Sequence, residues 1–227
     1  MTTSTRIVEV RTRILKENDA VARTLRHTFE AAGTCVVSLV SSPGSGKTAF
    51  LEQTLHRLRS RYRLAALVGD LATENDARRL ARTGVPVRQI VTGTVCHLEA
   101  RMIEEALAEW DLGAIDFLFV ENVGNLVCPS TYDLGEALRA VLFSVTEGED
   151  KPLKYPPIFN TADVAIITKV DLTEAVEFDY PAACDSIRAV RPGMEILSVS
   201  AKTGQGMDDW LRRVEACRAE LLSRCLA

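Results

Sequence analysis

The chain has 227 residues, 47% of them hydrophobic and 26% charged, with a formal net charge of -4. That length supports one substantial core, and a mildly acidic balance gives no electrostatic reason to bind nucleic acid. No run approaches the roughly 18 consecutive apolar residues of a membrane span, and the polar start "MTTSTRIVEVRTRILKEND" lacks a leader's apolar stretch, so a cytoplasmic protein with no nucleic-acid or membrane partner is expected.

Residues 11–32 put Ile14, Ala20, Val21, Leu25 and Phe29 at helical spacing, with Gly33 as the stop. A helical arm over 1–33 and a single domain over 34–227 follow. Within that domain, Val, Ile and Leu-rich runs at 35–40, 64–69, 87–91, 116–120, 139–145, 163–168 and 195–200 alternate with amphipathic stretches. Several are apolar throughout, as strands covered on both faces should be. The expected fold class is α/β, a mostly parallel sheet flanked by helices. The one long loop is "TEGEDKPLKYPP", 146–157, at a strand's carboxyl end where ligands bind.

The first strand runs into "SSPGSGKT", 41–48, and then a helical stretch, which is the context of a P-loop NTPase. Backbone N–H groups of Pro43, Gly44, Ser45, Gly46, Lys47, Thr48 and Ala49 surround phosphates in such a loop, except at the proline, which has none. Lys47 reaches the β- and γ-phosphates and the Thr48 hydroxyl ligates Mg²⁺. Ser41 stands where the strict pattern has its first glycine. The second strand ends on Asp70, a candidate for Mg²⁺ or for the attacking water, with Asp76 a weaker one in the same loop region. The fourth ends on Glu121, with Gly124 three residues on, where a carboxylate serves the Mg²⁺ and a glycine senses the γ-phosphate. Lys47, Asp70 and Glu121 are the catalytic candidates, and no arginine is obviously placed as a finger; Lys151 and Lys154 are weaker options across a dimer.

The base is indicated by "TKVD", 168–171, followed some thirty residues later by "SAKTG", 200–204. Asp171 accepts from the N1–H and N2–H₂ of guanine, a donor pair that adenine lacks, while the Lys169 stem covers the base. Ser200, Ala201 and Lys202 supply backbone toward guanine O6. Thr168 replaces the asparagine that would tie the loop to base and phosphate loop, and that tie is expected to be lost.

Six cysteines at 35, 96, 128, 184, 217 and 225 show no disulfide framework. Cys35 and Cys184 read as core, and Cys217 and Cys225 as helix-face residues with no partner motif; His27 and His56 read as ordinary helix positions. Cys96 and His97 open an amphipathic helix, and Cys128 lies seven residues past Glu121. Thiolates and imidazole bind Zn²⁺, Ni²⁺ or Cu⁺, but three ligands leave a tetrahedral site one short. Water or a second chain across a two-fold axis completes it; a buried thiol beside a surface imidazole accounts for the same residues without any metal.

Together "SSPGSGKT", "TGTVCHLEA", "FVENVGNLVCPSTYDLGE", "VTEGEDKPLKYP", "TKVDL" and "SAKTGQGMDDWL" resemble the HypB family, whose members help insert nickel into [NiFe] hydrogenase. The likeness runs from "ILKENDAVA" to about residue 213. It implies a SIMIBI-type GTPase, with GTP or GDP and Mg²⁺ as cofactors, that forms a homodimer with nucleotide. It implies that Cys96, His97 and Cys128 hold Ni²⁺ or Zn²⁺ near the dimer interface. The partners implied are other hydrogenase maturation proteins, including a nickel-binding, zinc-containing accessory protein, and the hydrogenase large-subunit precursor. The family's N-terminal cysteine motif and histidine-rich stretch are absent from "MTTSTRIVEV", so tight binding or storage of nickel is not expected. The urease accessory GTPase is similar in plan but has Cys-Pro-His where this chain has Cys96-His97. A GTP-dependent adaptor with structural thiols, or a chaperone for another metalloenzyme such as urease, are the competing expectations.

Overall fold

The computed structural model describes residues 3–71 and 75–225, with side chains from residue 12 onward. Its strands are β1 (Cys35–Ser41), β2 (Leu64–Asp70), β3 (Val87–Val91), β4 (Phe117–Glu121), β5 (Leu138–Ser144), β6 (Val164–Thr168) and β7 (Glu195–Val199). They form one parallel sheet in the order β3-β2-β4-β1-β5-β6-β7. Each matches an apolar run to within a residue or two. The chain builds to one side of β1 through β2 and β3, returns through β4, and then crosses to the other side through β5. Adjacent strands whose connections diverge leave a crevice at their carboxyl ends, here beyond β1 and β4.

The helices are α1 (Thr3–Ala32), α2 (Lys47–Leu58), α3 (Asn75–Ala81), α4 (Ala100–Leu107), α5 (Lys151–Lys154), α6 (Pro156–Thr161), α7 (Tyr180–Val190) and α8 (Met207–Cys225). Strand side chains alternate between two covered faces. Val37 and Leu39 pack with Leu51 and Leu55 of α2 and Trp210 of α8. Val36 and Val120 face the other way, onto Leu25 and Phe29 of α1 and Ile103 of α4. Beyond β1, Val141 and Ile167 meet α6 and α7 through Phe159 and Ile187. Two-sided burial is why these strands are uniformly apolar.

Three expectations are corrected. On α1, Leu25 and Phe29 are buried as the spacing predicts, but Ile14 is 43% exposed and Ala20 is exposed, while Asn18 is buried. Asn18 tolerates burial because both ends of its carboxamide are satisfied: Nδ2 donates to Asp133 O at 2.9 Å and Oδ1 accepts from Ala100 N at 2.9 Å. Hydrophobic periodicity is blind to such a position. Residues 146–157 form no long loop: a 3₁₀ turn over Val145–Glu147 is followed by α5 and α6. Pro152 and Pro156 sit in first helical turns, where a missing N–H loses nothing, so prolines that look like breakers are starters. Cys217 does have a partner, its sulfur lying 3.7 Å from that of buried Cys35 where α8 crosses β1. Cys184 is buried and Cys225 exposed.

Asp116, just before β4, joins three segments. Its carboxylate accepts from Arg63 N at 2.8 Å, from Arg63 NH2 at 2.9 Å and from Arg218 NH2 of α8 at 2.7 Å. The Arg63 hydrogen bonds outweigh partial burial and hold the carboxyl down at about 2. A depressed carboxylate stabilises the fold above its ordinary range and ceases to as pH falls through its folded value. Asp116→Asn is therefore expected to lower stability by about 1–2 kcal/mol at pH 7, a modest figure because Arg63 is exposed. Urea titrations should show that deficit shrinking between about pH 4 and pH 2; a deficit constant over that window would exclude the ion pair as its source.

Candidate functional site

The crevice beyond β1 and β4 holds a cavity of about 510 Å³. Residues 43–49 line it together with Asp70, Asp76, Glu121 and Lys169. Gly46 caps α2 with φ of 90°, a left-handed conformation that aims the following N–H groups into the space. Lys47 is 8% exposed; its Nζ donates to Ser41 Oγ at 3.2 Å and stands 3.8 Å from Glu121 Oε1. Ser41, in place of glycine, is thus a buried perch for the lysine. Thr48 Oγ1 donates to Glu121 Oε1 at 2.7 Å. Burial raises the Glu121 pKa, with Lys47 and the Thr48 hydroxyl opposing it.

Glu121 Oε2 is buried without a hydrogen-bond partner. An unsatisfied carboxylate oxygen beside a threonine hydroxyl fits a hard divalent cation that takes oxygen ligands. Gly124 lies against the phosphate loop so closely that a Cβ there would sit 3.1 Å from Pro43 Cα. The segment after β4 is therefore seated directly on the phosphate loop.

On the base side, Lys169 Nζ donates to Gly44 O at 2.7 Å, so its stem spans the cavity edge. Thr168 Oγ1 donates to Ser45 O at 2.6 Å. The expected loss of a tie to the phosphate loop is corrected: the hydroxyl makes one. Asp171 Oδ1 accepts from Ser200 Oγ at 2.6 Å, and Ser200 Oγ accepts from Thr203 N at 3.1 Å. Asp171, Ser200, Ala201 and Lys202 do not line the cavity; they occupy neighbouring turns after β6 and β7, with the Ser200 hydroxyl spent on orienting Asp171.

Cys96, His97 and Cys128 come together although 32 residues separate the two thiols. One ligand atom from each lies within 4.8 Å of the others, and the two sulfurs are 3.0 Å apart. The cysteine and histidine do not open α4, as the amphipathic pattern predicts; α4 begins at Ala100 and they stand in the preceding turn. His97 is buried, its ring tilted over Tyr132 at 3.9 Å between centroids. Glu99 Oε1 is 3.4 Å from Nε2, but neither ring nitrogen has a partner in hydrogen-bond geometry. Desolvation lowers the His97 pKa against the pull of Glu99, which favours the neutral, ligating imidazole. Two thiols and an unsatisfied buried imidazole suit a borderline or soft cation.

Some residues of the site carry no sequence signal. Arg79 of α3 lines the cavity and donates to Glu52 Oε2 at 2.7 Å. Glu147 is the acceptor for Ser42 Oγ of the phosphate loop and lies 3.1 Å from Lys151 Nζ, while Lys154 pairs with Asp150. Asn125 Nδ2 donates to Cys96 O at 3.2 Å and its Oδ1 accepts from Val127 N at 2.9 Å, clasping both thiol segments. A larger cavity of about 600 Å³ at the amino-terminal ends of β2 to β4, lined by Tyr62, Pro86 and Trp110, has no phosphate-binding backbone, and the chemistry belongs to the smaller one. Among the described residues no helix is long and apolar enough to cross a membrane.

The family model "CobW/HypB/UreG, nucleotide-binding domain" matches residues 35–198. The hydrogenase maturation factor HypB of Azotobacter vinelandii is 48% identical over 217 residues, covering 96% of this chain and 72% of that one. A hydrogenase/urease maturation factor HypB of Helicobacter hepaticus is 40% identical, covering 94% of this chain and 89% of the relative. The crystal structure of HypB from Helicobacter pylori in complex with nickel superposes with a TM-score of 0.84 at 41% identity, over 90% of this chain and 96% of that one. With a family model over residues 35–198 and relatives 40% and 48% identical over most of its length, the chain belongs to the HypB family of hydrogenase maturation factors.

Proposed function

We propose that this maturation factor is a GTP-hydrolysing metallochaperone whose nucleotide cycle gates nickel delivery to [NiFe] hydrogenase. The observation that supports it most is one short connection. Glu121, at the nucleotide end, and Cys128, at the thiol end, are seven residues apart in a segment seated on the phosphate loop through Gly124.

In this reading Lys47 neutralises charge on the phosphates, and Thr48, Asp70 and Glu121 hold Mg²⁺ and the attacking water. Mg²⁺, when bound, screens the phosphate oxygens. Lys169 covers a guanine base and Asp171, held by Ser200, accepts from its N–H groups, with the backbone at Ala201 and Lys202 beside O6. Cys96, His97 and Cys128 carry Ni²⁺ as cargo, or Zn²⁺ in its place, and a second copy of the chain completes the coordination across a GTP-dependent homodimer. Hydrolysis is slow without a finger in place. The setting is the cytoplasm, with other maturation factors, including a zinc-containing nickel-binding protein, and the hydrogenase large-subunit precursor as partners. The combined hydrogenase/urease name of the Helicobacter hepaticus relative makes a urease client the second reading.

The coupling is tested by titrating nickel into the GDP form and into a form with a non-hydrolysable GTP analogue. Affinities differing by about fivefold or more are expected. Equal affinities with an unchanged dimer population would refute the gating.

A further inference from the structure

Between the nucleotide cavity and the thiol cluster stands one fully buried side chain, Leu98, 0% exposed. It follows His97 directly, and two neighbours of the nucleotide-site acids grip it. Its backbone N–H donates to Asn122 Oδ1 at 3.0 Å, and Asn122 follows Glu121. The same Oδ1 accepts from Val123 N at 2.9 Å, so the carboxamide oxygen holds two backbone N–H groups, and Asn122 is 2% exposed. From the other side Leu98 lies over Gly69, which precedes Asp70; a Cβ on Gly69 would come within 2.8 Å of the Leu98 side chain. Only glycine permits that approach.

Resting on the gating reading above, we propose that Asn122 is the positioning residue that transmits the nucleotide state to His97 through Leu98. The physical reason is rigidity. Leu98 is wholly buried against Gly69, and in a close-packed interior a shift of Asn122 or Gly69 displaces it as a body. Leu98 then carries the backbone of His97 with it, and the imidazole moves relative to Cys128. Asn125 works differently. It joins Cys96 O to Val127 N and so sets the distance between the thiol segments, its side-chain hydrogen bonds running between those segments and not to Leu98.

These two asparagines therefore predict different defects. In Asn122→Ala the ratio of nickel affinities between analogue and GDP forms falls toward one, and the nickel–thiolate charge-transfer absorption stops responding to nucleotide. In Asn125→Ala nickel binds about tenfold more weakly in both forms, and the ratio survives. Leu98→Val, which loosens the contact over Gly69 and removes no polar group, lowers the ratio as well and serves if Asn122→Ala is poorly folded. An unchanged ratio in Asn122→Ala or in Leu98→Val, with the parent ratio intact, overturns the inference alone. A parent ratio of one overturns the gating reading and the inference with it.

Discussion

Lys47→Ala is expected to reduce GTP turnover by about 10²- to 10³-fold or more, the scale on which a single preorganised stabilising group acts at a reacting centre. Two losses combine. On the proposed reading the cavity loses the ammonium that would neutralise the phosphates, and Glu121 loses the cation standing 3.8 Å from its Oε1. Burial already raises the pKa of that carboxyl, and Lys47 is the first of the groups that oppose the rise. Without the lysine Glu121 binds its proton more firmly, and a protonated Glu121 is a poor cation ligand. The residual turnover should therefore recover partly as pH rises, whereas the parent is less sensitive over the same range. Single-turnover hydrolysis from pH 6 to 9 measures both effects. A variant with parental rates would remove Lys47 from the chemistry.

The second large effect concerns the cargo. The double variant Cys96→Ala, Cys128→Ala is expected to lose nickel affinity by about a hundredfold or more, since even outer-shell partners of a metal ligand are worth 10- to 100-fold. Guanine-nucleotide binding should persist, because both sulfurs lie outside the cavity lining. Hydrogenase maturation at limiting nickel should then fail. Maturation at the parental level under those conditions would favour the adaptor expectation, in which the thiols are structural.

The strands were legible because two-sided burial writes itself into consecutive residues. "CVVSLV" and "DVAIIT" need no long-range information to be read. The phosphate loop is equally local, as a strand, two glycines, a lysine and a helix follow one another without interruption. Polar and proline positions were harder. Asn18 interrupts the apolar stripe of α1 because its partners are Asp133 and Ala100, from distant parts of the chain. Thr168 reads as a loss from the motif alone because the acceptor its hydroxyl reaches, Ser45 O, lies far away in the chain. Arg79 sits on a seven-residue helix whose pattern says nothing of the cavity it lines.

The amino-acid order by itself determined the α/β class, the run of strands, the phosphate loop and the residue types available for metal and base, since each is a pattern of neighbours. Tertiary structure alone decided which of those residues meet. Cys96 and Cys128 are 3.0 Å apart because β3 and β4 flank β2 in one parallel sheet, which brings the turns that follow β3 and β4 to one rim. Cys35 and Cys217 meet because α8 folds back over β1. Leu98 links the two sites because Gly69 leaves room for it, and only packing between distant segments sets that contact.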